Sequence, residues 1–205
     1  MSKRINRDDV DKFHDYGIYI PKRTIYMGSV DVSVEHGEGG TDSSMAEFLV
    51  KNLMILEGMS DEPITIIMNN LGGDFNHGMA IYDAIKNCPN HVTIRALGYA
   101  MSMGSIILQA ADLRVMGPNA SQMLHYGTWA FEGHAKTGQK WAKENERLDQ
   151  WMEKMYLEKI QAKVPDFTLS RLKKLLDHDT FLNARESIDY GLADQILGEQ
   201  GEDHE

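Results

Sequence analysis

The sequence predicts an α/β fold, a largely parallel sheet assembled from β-α-β units. Three observations predict it. Short β-rich runs alternate with longer helical segments along the chain. The run Ile64 to Met68 is rich in β-formers and shows no polar alternation, which reads as a strand buried on both faces. Two junctions from strand to helix are crowded with small residues: Asn69-Asn70-Leu71-Gly72-Gly73, and Gly98-Tyr99-Ala100-Met101-Ser102-Met103-Gly104-Ser105. Right-handed crossovers would stack such units on one another.

The elements follow in order. Residues 1–17 form a polar N-terminal segment, and residues 18–198 a single domain. Thr24-Ile25-Tyr26-Met27 is a short strand. Glu35 to Thr41 is a loop by its glycine and acid content. Ser44 and Glu47 have capping-box spacing, ahead of a helix with Met45, Phe48, Leu49, Leu53 and Leu56 on one face. After the strand at Ile64, a helix runs from Asp74 to Asn87 with Phe75, Met79 and Tyr82 along one side. His91 to Leu97 is the next strand, and Ser102 to Ala111 the next helix. Leu113 to Met116 and Gln122 to His125 are strands. A long charged helix spans about His134 to Lys163, with an apolar stripe including Trp141, Leu148, Trp151, Met152, Met155 and Leu157. Leu169 to Leu176 is a short helix, and residues 199–205 are an acidic tail.

Bulk properties narrow the function classes. A chain of 205 residues with 42% hydrophobic and 25% charged residues suits one soluble domain with a sizeable core. A net charge of −10 argues against general nucleic-acid binding. The single cysteine, Cys88, beside Pro89, reads as structural and fits a reducing compartment. Met1 to Val10 is charged, so neither a signal peptide nor a membrane span is expected, and a cytoplasmic location is. The eight histidines show no paired metal-ligand spacing, and no metal or cofactor is expected. His77, near the glycine pair, reads as a solvated helix residue.

Three polar residues stand out chemically. Ser102 lies where a strand turns into a helix, His125 ends an apolar strand, and Asp179 follows Asp177-His178. Singly, such residues usually cap a helix, hydrogen-bond in the core or close a turn. Jointly they have the composition of a nucleophile, a base and an acid. A serine hydroxyl needs a base in hydrogen-bond reach, an imidazole can accept its proton near neutrality, and a carboxylate fixes the imidazole tautomer. Unpaired N–H groups at the helix start would lie close to the attacked carbonyl.

These motifs, in this order, resemble the proteolytic subunit of the Clp (caseinolytic) protease over roughly Ile18 to Gly198. The resemblance rests on the glycine pair with Gly78-Met79-Ala80-Ile81-Tyr82-Asp83, on the Ser102 turn, and on Pro118-Asn119-Ala120-Ser121-Gln122-Met123-Leu124-His125. It ends with Asp179-Thr180-Phe181-Leu182-Asn183-Ala184, Glu186 and Tyr190-Gly191-Leu192-Ala193-Asp194. It implies a Clp/crotonase-like spiral of β-α-β units with a long protruding handle helix. It implies a serine endopeptidase with catalytic Ser102, His125 and Asp179 and an oxyanion hole at Gly72 and Met103. The implied substrate is unfolded polypeptide, bound as an extended strand inside heptameric rings that pair into a tetradecamer. An AAA+ unfoldase is the implied partner, with no nucleic acid and no membrane involved.

The sequence also departs from that family. Leu71 replaces a usual proline before the glycine pair. Thr65 and Ile67 replace aromatic residues that line unfoldase-docking pockets, which weighs against that partner. His178 replaces an arginine that links ring stacking to activity, so weaker or pH-dependent ring contact is expected. Such divergence suits a phage-type or otherwise specialised member. The alternatives are a weakly active or regulatory ring subunit, a phage head-maturation protease and, least favoured, a crotonase-type acyl-CoA enzyme.

Overall fold

The computed structural model describes residues 6–28 and 40–199. The acidic, glycine-rich loop about Gly37 and nearly all of the acidic tail lie outside the described residues. The polar N-terminal segment contains a helix that sequence pattern alone did not suggest, α1 (Arg7–Tyr16), capped by Asn6 and stopped by Gly17 at φ 59°. None of its residues is buried, which is why no apolar stripe announced it.

From there the chain builds the sheet. β1 (Ile18–Tyr19) pairs antiparallel with β2 (Thr24–Met27), and helix α2 (Ser43–Glu57) leads to β3 (Ile64–Asn70). Helix α3 (Phe75–Lys86) leads to β4 (Val92–Met101), and the short α4 (Met103–Leu108) leads to β5 (Leu113–Met116) and β6 (Ser121–Leu124). The long α5 (Ala135–Gln161) and α6 (Leu169–Leu176) follow, then β7 (Thr180–Asn183), α7 (Ala184–Asp189) and β8 (Gln195–Ile196). The strand order is β1-β2-β3-β4-β5-β8, parallel from β2 onward.

Several boundaries differ from expectation for physical reasons. The cap of α2 is Asp42, whose carboxylate accepts the Met45 N–H at 2.8 Å; Glu47 instead pairs with Lys51 one turn on. β3 is not buried on both faces: its burial alternates, with Ile64, Ile66 and Met68 inside and Thr65 and Ile67 half-buried. On α3 the fully buried side is Gly78, Ile81 and Ile85, while Phe75 and Tyr82 pack edge-on against Trp151 of α5.

β4 runs four residues past its expected end and absorbs Gly98 to Met101. Gly98 (φ 83°) makes this possible, because a Cβ there would lie 2.6 Å from Asn69 Oδ1. That same oxygen accepts the Tyr99 N–H at 3.0 Å, and the β3–β4 register shifts between Met68 and Asn70. The irregularity re-aims β4 away from β5 and onto β6.

This branch of the sheet positions the site. Met101 faces Met123 across the parallel β4–β6 pair, and the Ser102 N–H continues the ladder to Met123 O at 2.9 Å. β7 runs antiparallel to β6 with Thr180 opposite Leu124. The residue after β4, the residue after β6 and the residue before β7 are therefore Ser102, His125 and Asp179, at one edge of the sheet. The buried apolar residues beneath them form one contiguous core, from Ile18 to Ile196.

Candidate active site

Ser102 follows β4 in a conformation that few non-glycine residues adopt, φ 50° and ψ −120°. It occupies the cap position of α4 yet makes no side-chain cap hydrogen bond. Its Oγ lies instead 2.8 Å from His125 Nε2. The other ring nitrogen, Nδ1, lies 2.9 Å from Asp179 Oδ1. A carboxylate can only accept, so the imidazole carries its proton on Nδ1 and presents Nε2 to the serine hydroxyl. The structure thus brings all three sequence-predicted residues together.

The two oxyanion candidates do not fare alike. Met103 opens α4, so its N–H has no intrahelical acceptor. Gly72 sits against the serine, where a Cβ would lie 2.6 Å from Ser102 Cβ. However, its N–H already donates to Asn70 Oδ1 at 2.8 Å, so Gly72 is not the donor expected from the sequence. The next residue, Gly73, lines the same cleft, and its N–H has no recorded acceptor among the described residues.

The cleft has a volume of about 820 Å³. Gly73, Phe75, Ile106, Trp129, Phe131 and Trp141 line it. Its lining mixes aromatic and aliphatic side chains with polar ones, among them Asp74, Asn76, Glu144 and Asn145, and Arg147 holds the Glu144 carboxylate by a two-point contact. Asp179 is 59% exposed and His125 22% exposed in the single chain, so the hydrogen bond, more than exclusion of water, couples them. His77 does not line the cleft. No helix among the described residues is long and apolar enough to cross a membrane.

A family model described as Clp protease matches residues 34–200, most of the chain and every site residue named above. The chain belongs to the Clp protease family. Members are serine-type endopeptidases, and this chain is one by that membership. An ATP-dependent Clp protease proteolytic subunit from Deinococcus radiodurans is 32% identical over 164 residues, covering 78% of each chain. The ATP-dependent Clp protease proteolytic subunit 2 of Pseudomonas aeruginosa is 32% identical over 161 residues, again covering 78% of each. Among solved structures, a ClpP1 mutant from Listeria monocytogenes superposes with a TM-score of 0.73 at 27% identity, covering 88% of this chain and 94% of that one. The α/β spiral expected from the resemblance is the fold this likeness shows.

Within this Clp-family frame, three polar groups around the site escaped sequence reasoning. Tyr126 Oη donates to Glu153 Oε1 at 2.5 Å, and Lys173 Nζ approaches the same carboxylate at 3.3 Å. Burial first, then the hydrogen bond to Glu153, pushes the Tyr126 phenol well above its usual range. Buried Ser105, one turn past the nucleophile, accepts from Tyr156 Oη at 2.8 Å and from Gln122 Nε2 at 2.9 Å. Asn70 is fully buried. Glu153 gave no signal, because one glutamate in a helix rich in lysine and glutamate reads as a surface residue.

Proposed function

We propose that the chain cleaves unfolded polypeptides through Ser102, His125 and Asp179. The observation that carries this reading is the continuous relay of 2.8 Å and 2.9 Å contacts from Ser102 Oγ through the His125 ring to Asp179. As Ser102 Oγ attacks a peptide carbonyl, its proton passes to His125 Nε2, and Asp179 stabilises the imidazolium. His125 then returns that proton to the departing amine. Water, deprotonated by the same ring, hydrolyses the acyl-enzyme. The Gly73 and Met103 N–H groups take the oxyanion, each such donor supplying about 3 kcal/mol.

The substrate lies extended in the aromatic cleft, adding a strand beside the residues after Gly73 and after His125. Strand addition reads backbone and tolerates many side chains, which suits a peptidase of broad range. The chain assembles into heptameric rings that pair around a chamber, in the cytoplasm, and an AAA+ unfoldase feeds it. The ATP dependence in the names of the two relatives supports that partner.

Fluorophosphonate labelling read by intact mass tests the reading. One adduct on the wild type and none on Ser102→Ala is expected. No adduct on either would overturn it in favour of a non-catalytic ring subunit.

A further inference from the structure

The candidate oxyanion donors sit on two different segments, Gly73 after β3 and Met103 at the start of α4. Something must fix the distance between them. Asn70, the last residue of β3, has no exposed surface and touches both segments. Its Oδ1 accepts the Gly72 N–H at 2.8 Å and the Thr41 hydroxyl at 3.1 Å. On the other side, a Cβ at Gly104 would lie 2.8 Å from Asn70 O and 2.9 Å from Asn70 Oδ1, so α4 rests directly on this residue.

The amide of Asn70 is only half satisfied. Its Nδ2 is buried and has no hydrogen-bond partner. A buried donor without a partner lowers stability, and native chains keep few of them. The group is retained where the other end of the amide has a task. Here that task is visible: Oδ1 engages the Gly72 N–H and so fixes the Leu71–Gly72 peptide, from which Gly72 and Gly73 continue at φ 103° and φ 144°, a backbone that glycine adopts readily. Thr41, whose hydroxyl is held by the same Asn70 oxygen, fixes the next peptide: its N–H donates to Gly72 O at 2.6 Å, which faces the Gly73 N–H the opposite way, and its carbonyl accepts the Asp74 N–H at 2.8 Å.

We propose that Asn70 is a positioning residue for the oxyanion hole: by holding the Gly72 N–H and supporting Gly104, it turns the Gly73 N–H toward Ser102 and sets its spacing from Met103. The proposal rests on the triad reading above. It assigns Asn70 no contact with substrate. A 1 Å displacement at a reacting centre can cost about 10²-fold in rate, so loss of this one acceptor has a measurable effect.

The test compares the wild type with Asn70→Ala, Asn70→Ser and Thr41→Val, first by thermal melting and then by hydrolysis of a short fluorogenic peptide. Serine retains an acceptor two residues before Gly72 and alanine does not. For Asn70→Ala a fall in kcat of about 10²-fold with KM within about twofold is expected. Binding of a peptidyl boronate, which places an oxygen in the hole, should weaken in parallel, and Asn70→Ser should recover most of both losses. Thr41→Val, a near-isostere that removes one donor from Oδ1, should show a smaller loss of the same kind and keeps the test open if Asn70→Ala does not fold. A folded Asn70→Ala with unchanged kcat and boronate affinity, on a wild type that takes the fluorophosphonate, would overturn the role of Asn70 alone. A wild type that takes no fluorophosphonate would overturn the triad reading and this inference together.

Discussion

Tyr126, next in sequence to His125, is tied at 2.5 Å to Glu153, a residue of the long helix α5 that is almost fully buried. The Tyr126 N–H also donates to Leu176 O at 2.8 Å, and Thr180 Oγ1 donates to Leu175 O at 2.7 Å. The C-terminal end of α6 therefore anchors the residue after the base and the residue after the acid. Glu153→Ala removes the acceptor and leaves the half-buried Tyr126 hydroxyl, and Lys173 beside it, without that partner. It should destabilise the chain by about 1–3 kcal/mol, and each kcal/mol lowers Tm by about 2–4 °C at this size. Glu153→Gln keeps an acceptor and should lose less. It should also lower the pKa of Asp149, which burial and then the charge of Glu153 hold above the usual carboxylate range. A carbon-detected NMR titration of Asp149 that stays unmoved in Glu153→Gln would refute that coupling.

Ser102→Ala should abolish peptide hydrolysis, with a loss on the order of 10⁶-fold in kcat. It should leave Tm nearly unchanged, since the hydroxyl caps nothing. Asp179→Asn should cost about 10⁴-fold, because an amide in that place stabilises the wrong imidazole tautomer. Steady-state kinetics on the purified variants decide both, and an Asp179→Asn rate near wild type would remove Asp179 from the relay.

Arg114 and Asp194 form a fork, with Nε to Oδ2 at 2.9 Å and Nη2 to Oδ1 at 2.5 Å, while Nη1 reaches Gln109 and Gly191 O. Burial pushes the Asp194 carboxyl up, but the hydrogen bonds and charge of Arg114 outweigh it and hold the group below the usual carboxylate range. A depressed carboxyl stabilises the fold above its unfolded pKa of about 3.9 and loses that contribution as pH falls through its lower folded value. Asp194→Asn should therefore flatten the acid limb of the Tm-versus-pH curve. An acid limb identical to wild type would argue that Asp194 is not linked to stability.

Gly78 of α3 lies against Met103, and a Cβ there would meet the Met103 side chain at 2.1 Å. Gly78→Ala should cost about 1–3 kcal/mol by overpacking. It should also lower kcat more than it raises KM, because the displaced residue carries a candidate oxyanion donor. A kcat equal to wild type would show that the Met103 side chain moves without its backbone.

The fold was legible, and so was the meeting of Ser102, His125 and Asp179, because each of the three sits at an element boundary. Ser102, His125 and Asp179 border strands whose apolar runs stand out. The glycine pair was less legible: the Gly72 N–H is taken by Asn70 Oδ1, a contact that no local pattern encodes. The Ser44/Glu47 spacing misled because Asp42 reaches the same helix end with better geometry. The end of β4 was hidden by Gly98, a turn signal that here only bends a strand. Buried polar partners such as Glu153 and Ser105 look like surface residues until tertiary packing encloses them.

Helix α5 has two thermodynamic halves. It spans 27 residues, and every buried residue in it lies at or beyond Met152. The half before Met152 lines the cleft through Trp141, Asn145 and Leu148, and Met152, which is buried, lines it too. Trp151 is the first residue of α5 to pack on the core, and the stretch before it, with no buried residue, opens at little free energy. Amide protons should therefore exchange much faster before Trp151 than after Met152, and the lining of the cleft differs in stiffness along this one helix: its buried end keeps the shape of the fold, and its exposed end takes the shape of what it meets.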